Sequence, residues 1–343
     1  MQYEVTIGIP IYNAPKDVLK KCILSALNQT EEDIEVLAVD DCSTDGSADI
    51  IAAIAKQHKN GKRLKLVKHE KNIGVSGTRN TILDEARGKY LFFMDCDDYI
   101  PDDAIAILLE LARKHDADTT WGSTRVAEGD EKEVKDFKIF PTIVLSDKKE
   151  VAKHCDIFRL HWFPAIWNIL YKTEFLRSKQ LRFKPYGTFD DYIFQMEMLP
   201  FLNSVAFTSR CTYYWVTREG SQSHVQTRQL SRSHAENAIE AEKVVKTYYE
   251  NIPDKSLHEY YLPIIYAHSF YSAYSIASKR KLFTPTFKKQ DVKSILSPTL
   301  PLKTLVQCKH HRLEHIGFYL LSKCPASFMP MILKLMVKRT NMK

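Results

Sequence analysis

Tyr90-Leu91-Phe92-Phe93-Met94-Asp95-Cys96-Asp97-Asp98 is an apolar run that stops in three carboxylates within four positions. A short apolar run bounded by charge predicts a buried strand reaching its end. Strand side chains alternate between faces, so on a continued strand Asp95 and Asp97 share one face. Two adjacent carboxylates repel unless a cation lies between them. All-oxygen ligation suits Mg²⁺ or Mn²⁺, which take one or two carboxylates plus substrate phosphates. The bland alternative is a polar strand end leading into a helix, since Asp also caps helices and Asp98 or Asp102 suits that role.

The same strand-end pattern recurs upstream. Val5–Ile11 is β-rich and breaks at Tyr12-Asn13-Ala14-Pro15; Val18 to Leu27 has helical spacing; Ile34–Val39 ends in Asp40-Asp41. Ser43-Thr44-Asp45-Gly46-Ser47 is turn and cap chemistry before a helix through Ala55. Leu64–Val67 predicts a third strand, and Asn72-Ile73-Gly74 turns into a helix over 75–87. Strand alternating with helix four times predicts a parallel sheet flanked by helices, with ligands beyond the carboxyl ends of the strands. That puts Pro10–Asn13, Asp40–Asp41, Asn72–Arg79 and Asp95–Asp98 on one rim. Neither a Gly-x-Gly-x-x-Gly fingerprint nor a P-loop is present.

The 343 residues suffice for two domains or one large domain with an appendage, and 44% hydrophobic with 27% charged residues is an ordinary globular composition. No apolar run is long enough to span a bilayer, and the strand-like start predicts no signal peptide. Seven scattered Cys suggest reduced thiols and a cytoplasmic setting. A net charge of +7 suits anionic substrates, anionic lipid or nucleic acid; no motif supports the last.

Farther on, Pro101 opens a helix to about His115, Ala117 to Val126 reads as a strand, and Ala127 to Asp136 as a loop or flap. Gly187–Phe194 carries a second acidic pair, Asp190-Asp191, at the head of an apolar helix, where capping is the default reading. Val205–Phe207 and Cys211–Val216 read as two strands, followed by a polar turn over Thr217–His224. Gln229–Glu250 and Leu257–Lys281 are helical by period, the latter Tyr-rich. Cys308–His315 lacks finger spacing for zinc. Phe328–Arg339 is apolar with basic edges, suited either to an anionic membrane surface or to packing on its own domain.

Pro10-Ile11-Tyr12-Asn13, Val39–Ser47, Asn72-Ile73-Gly74 with Arg79-Asn80, Asp95–Asp98, Trp167–Tyr171 and Asp190-Asp191 together resemble glycosyltransferase family 2, over about residues 3–224. The resemblance implies a GT-A, Rossmann-like, mostly parallel α/β sheet over 1–225, with a helical extension over 226–343. It implies an inverting hexosyl-type transferase that moves a sugar from a nucleotide-diphosphate donor, UDP-linked, to a hydroxyl of a cell-surface polysaccharide or glycolipid. The family's roles fall on Pro10, Tyr12, Asn13, Asp41, Arg79, Asp95 and Arg218 for the nucleotide. By the same resemblance Asp97, Asp95 and His224 would be the Mn²⁺ or Mg²⁺ ligands, and Asp191 the general base. Asp-Asp stands where the family usually has Glu-Asp. The partners implied are the nucleotide sugar and a glycan or lipid-linked acceptor, without nucleic acid. Peripheral contact of the tail with the inner face of the plasma membrane, and self-association, stay open. The competing readings are a non-catalytic nucleotide-sugar-binding or membrane-scaffold protein and a sugar-phosphate nucleotidyltransferase. The latter needs a Gly-rich phosphate loop that Pro10–Pro15 does not supply.

Overall fold

The computed structural model describes residues 2–128, 133–157, 165–217, 231–279, 282–296, 302, 305 and 312–328. The chain forms two compact units. One comprises Met1–Val151, Pro164–Pro185 and Phe201–His224; the other Ala152–Phe163, Tyr186–Pro200 and Val225–Lys343. Residues 186–200, which carry the second acidic pair, thus group with the C-terminal helices.

The first unit is built on strand–helix alternation: β1 (Tyr3–Ile11), α1 (Lys16–Leu27), β2 (Ile34–Asp40), α2 (Ser47–Gln57), β3 (Leu64–Lys68), α3 (Gly74–Glu85) and β4 (Gly88–Phe93). These four strands are parallel, in the order β3-β2-β1-β4. Both faces of the central strands are covered, so Val5, Ile7 and Ile9 on one face and the alternating Thr6 on the other are all buried. Each fully buried aliphatic side chain contributes about 1.5–3 kcal/mol. The buried Thr6 hydroxyl donates to Glu35 Oε1 at 2.6 Å, and Arg87 closes over the same carboxylate with Nη2 at 2.6 Å.

Beyond α4 (Ala104–His115) the sheet becomes mixed. It adds β5 (Thr119–Glu128), β6 (Glu133–Lys138), β7 (Ile143–Leu145), β8 (Ile169–Lys172) and β9 (Val205–Thr217), giving the order β3-β2-β1-β4-β8-β5-β9-β7 with β6 on β5; helix α5 (Lys148–Ile157) follows β7 in the chain and α6 (Thr173–Ser178) follows β8. The loop expected over Ala127–Asp136 is corrected: β5 runs on to Glu128 and β6 pairs with it from Glu133. The two strands expected over 205–216 are one. β9 stays paired with β5 throughout, and two register shifts beside Ser123 absorb the polar Ser209-Arg210 interruption. Asn168, at φ 59°, locks this half of the sheet. Its Nδ2 donates to the carbonyls of Gly122 and Ser123 at 2.7 and 3.1 Å, and its Oδ1 accepts from Thr212 Oγ1 at 2.5 Å. Gly122 is required there, because a Cβ would fall 1.7 Å from Thr212 Oγ1.

The second unit is helical: α7 (Asp190–Met198) with helices Arg232–Glu250, His258–Ser278, Lys289–Leu296 and Arg312–Lys323. In the Tyr-rich helix, Tyr261 and Tyr266 are buried. Tyr249 Oη donates to the Met196 carbonyl at 2.6 Å and Tyr261 Oη to the Leu199 carbonyl at 3.3 Å, so phenols satisfy the carbonyls at the end of α7. The Glu242 carboxylate is buried within this unit. It accepts from Tyr192, His268, Ser269 and Ser272. Among the described residues no helix is long and apolar enough to cross a membrane. Of the tail expectation, only Phe328 lies within the described residues; of the Cys308–His315 cluster, Arg312 onward lies on the helix Arg312–Lys323.

Candidate functional site

At the carboxyl ends of β1, β2 and β4 lies a cavity of about 520 Å³ in the first unit. Its walls are the turn after β1 (Pro10–Ala14), Asp41, the start of α3, the turn Asp95–Asp98, and Trp215-Val216 of β9. The rim expected from the strand ends therefore closes around one space. β9 supplies a wall that strand-end reasoning missed.

The turn after β1 is pinned to the next strand end. Asn13, at φ 47°, receives a hydrogen bond from Thr44 N–H on its Oδ1 at 2.9 Å and donates its own N–H to Ser43 Oγ at 3.0 Å. Asn tolerates this left-handed conformation better than branched residues do. The turn leaves Tyr12 exposed at the cavity mouth, at 53%.

Asp41 is buried and held from three directions. Its Oδ1 accepts from Ile73 N–H at 2.9 Å and meets His69 Nδ1 at 2.7 Å, and its Oδ2 accepts from Gly74 N–H at 2.8 Å. The carboxylate thereby satisfies donors at the head of α3, where Gly74 adopts φ +80°. Asp40 lies apart from this cradle and accepts from Ser43 N–H at 3.3 Å.

Arg79 does not lie on a solvated helix face. It is 5% exposed, its Nη2 donates to Asp95 Oδ1 at 3.2 Å, and its guanidinium lies 5.5 Å from the centre of the Phe183 ring. The pair joins α3 to the β4 end at the cavity wall.

The strand expected to carry Asp95 and Asp97 on one face ends before them. β4 ends at Phe93, and Asp95–Asp98 is a turn closed by Asp98 N–H donating to the Asp95 carbonyl at 3.2 Å. Three carboxylates within four positions disfavour a continued ladder, and the turn carries Asp95 and Asp97 both to the cavity wall. Asp98 has a different task. It is 2% exposed, accepts from Tyr213 Oη at 2.7 Å and Val216 N–H at 2.8 Å, and ties the turn to β9. Burial, then the charges of Asp97 and Asp95, push its carboxyl well above the usual range. The Tyr213 hydroxyl also accepts from Asp95 N–H at 3.1 Å, and its ring stacks on Trp167 at 4.6 Å. Trp167 is thus a core aromatic beneath the turn.

Asp190 and Asp191 open α7 in the second unit. Asp190 is 3% exposed and its Oδ1 accepts from Asp191 N–H at 3.2 Å, while Asp191 is partly exposed. Arg218 and His224 lie outside the described residues. Among the described residues no group of three or more His, Cys, Asp or Glu is arranged to hold a metal ion.

Sequence reasoning missed His69 and Trp215. The register contained a signal for the first. Lys68 of β3 pairs with Asp40 of β2, so the next residues, His69 and Asp41, leave the sheet side by side.

A profile of Glycosyl transferase family 2 matches residues 6–180, about half of the chain. Among similar proteins is the poly(ribitol-phosphate) beta-glucosyltransferase of Bacillus spizizenii, 28% identical over 228 residues, covering 65% of this chain and 34% of that protein. Another is the glycosyltransferase EpsJ of Bacillus subtilis, of uncharacterised activity, 31% identical over 181 residues and covering 52% and 51%. The chain therefore spans a third to a half of the length of these relatives. Among solved structures, S. aureus TarS 1-349 in complex with UDP-GlcNAc superposes with a TM-score of 0.70 at 19% identity, over 93% of this chain and 90% of that one. The mannosyltransferase PcManGT from Pyrobaculum calidifontis, in complex with GDP-Man and Mn²⁺, superposes at 0.56 with 15% identity, over 96% and 88%. With the expected α/β sheet in place and the profile matched across its strand-end motifs, the chain belongs to glycosyl transferase family 2.

Proposed function

We propose that the protein is an inverting glycosyltransferase that moves a sugar from a UDP-linked donor to a hydroxyl of a growing cell-surface glycan. The observation that carries this reading is the cavity at the strand ends. One wall offers a carboxylate with an acceptor position to spare, Asp41; the opposite wall offers Asp95 and Asp97 beside a buried arginine. A nucleoside diphosphate needs this set: an acceptor for the base, a cation for the phosphates and hard oxygen donors for a metal. That S. aureus TarS and the archaeal mannosyltransferase hold nucleotide sugars on a related fold supports it.

Asp95 and Asp97 fit a divalent ion of the Mg²⁺ or Mn²⁺ kind, because both are oxygen donors and the diphosphate would complete the ligand set. Such an ion neutralises negative charge on a departing diphosphate. The chain's own part is to place and discriminate. Asp41 and Tyr12 hold the nucleoside, with Pro10 and Asn13 shaping the turn around it. Arg79 keeps Asp95 oriented and adds positive charge near the phosphates, with Arg218 assigned to the same phosphates. Asp191 accepts the proton of the acceptor hydroxyl as its oxygen attacks the anomeric carbon and the bond from that carbon to the phosphate oxygen breaks. One displacement inverts the configuration, so no second carboxylate nucleophile is needed.

A screen of UDP- and GDP-linked sugars, reading release of nucleoside diphosphate in Mn²⁺, Mg²⁺ or EDTA, tests the proposal. The expected result is metal-dependent release from one UDP-sugar; undiminished release in EDTA would reject the metal assignment, and release from none of the donors would reject the enzyme.

A further inference from the structure

Asp41 has a neighbour that the donor-site reading does not use. His69 follows β3 directly, and its side chain is largely buried. A carboxylate only accepts, so Nδ1 carries the proton that faces Asp41 Oδ1 at 2.7 Å. On the other side of the ring, Nε2 meets Thr81 Oγ1 at 3.0 Å, and that hydroxyl lies 3.2 Å from the Gly77 carbonyl of the same helix. The imidazole is therefore held at both nitrogens between β2 and α3.

The consequence lies in acceptor positions. An ionised carboxylate has about four. On Asp41, His69 and Ile73 N–H take those of Oδ1, and Gly74 N–H takes one of Oδ2. A single position on Oδ2 is left. A uracil-type base presents one imide N–H between two carbonyls and needs one acceptor. A guanine presents N1–H and N2–H side by side and binds a carboxylate best through both oxygens.

We infer that His69 is a positioning residue that sets nucleobase specificity: by occupying Oδ1 it restricts Asp41 to one open acceptor, so the cavity takes a uracil nucleotide and disfavours a guanine nucleotide. This inference rests on the nucleotide-donor reading of the cavity and goes beyond it to the origin of discrimination.

Two near-isosteric substitutions separate positioning from support. In His69→Asn the amide nitrogen can sit where Nδ1 sits and still donate to Asp41. In His69→Gln it sits where Nε2 sits, reaches Thr81 and vacates Oδ1. His69→Leu removes both bonds. Calorimetric titration of UDP and of GDP into the full-length protein in Mn²⁺ reads the ratio of the two dissociation constants. The wild type should favour UDP by about tenfold or more, the worth of one well-placed hydrogen bond to a charged group. His69→Asn should keep that ratio. His69→Gln and His69→Leu should bring it toward unity, chiefly through tighter GDP binding. If His69→Leu does not fold, the Asn and Gln pair carries the comparison. A purely structural histidine would weaken both nucleotides together, and an unchanged ratio in His69→Gln would overturn the inference while leaving the donor site standing. A wild type that binds UDP and GDP equally would also overturn it. A wild type that binds neither would overturn the donor-site reading and this inference with it.

Discussion

Two acidic stretches, Asp95–Asp98 in the first unit and Asp190-Asp191 in the second, divide their work in the same way. Each contains one carboxylate absorbed by the fold and one that reaches a more open position. Asp98 is buried and filled by Tyr213 and Val216 of β9, whereas Asp97, in the same cavity wall, is partly exposed. Asp190 is buried in the first turn of α7, whereas Asp191 is partly exposed. Adjacent acids of one residue type thus acquire different roles from the donors that tertiary structure brings to them.

The largest expected effects are on catalysis. Asp191→Asn preserves shape and removes the proton acceptor, so transfer should fall by about 10²–10⁴-fold with donor binding retained. Steady-state kinetics beside UDP titration checks this, and near-normal transfer would return Asp191 to a capping role. Asp97→Ala should lower turnover by about 10²–10³-fold, the scale of losing one group that stabilises developing charge, with an unfolding midpoint near that of the wild type.

The buried partners should show the reverse pattern. Asp98→Ala leaves the Tyr213 hydroxyl and Val216 N–H without their acceptor in a dry interior. It should cost about 2–4 kcal/mol in urea unfolding, with Asp98→Asn costing less because an acceptor remains. A stable Asp98→Ala variant that lost only turnover would place Asp98 among the ligands instead.

The smallest effect concerns pH and belongs to the core beneath α7. Burial pushes the phenols of Tyr192, Tyr249 and Tyr261 well above their ordinary value of 10.0. The folded value lies above the unfolded one, so this stability is fully present below pH 10 and is lost as pH rises beyond it. Alkaline titration followed by circular dichroism should show unfolding above that pH, with a shallower slope in Tyr249→Phe.

Much of the first unit was legible because its signals are local. The alternation through β4, the Pro, Asn and Gly turns, and the acids at each strand end all arise within about ten residues, and the cavity forms where those ends converge. The rest depends on long-range pairing. Asp95–Asp98 reads as strand-like until Tyr213 and Val216, more than a hundred residues away, draw Asp98 inward. Ser209-Arg210 looks like a break between strands because the shift in β5 that absorbs it is not written in β9 itself. Nothing local to α3 shows that Arg79 turns inward, because Asp95 and Phe183 come from other elements. Likewise α7 follows a sheet-forming segment in sequence yet groups with helices that begin some forty residues later.

The proposed function requires the cavity at the sheet's carboxyl rim to be the nucleotide site of a sugar donor. Calorimetric titration of UDP into the full-length protein in Mn²⁺ tests it most directly, with Asp41→Ala and Asp97→Ala as comparisons. Saturable one-to-one binding is expected, weakened by about tenfold or more in each variant, in Asp97→Ala through loss of the metal's contribution. Absence of binding by the wild type, or binding that both substitutions leave unchanged, would contradict it.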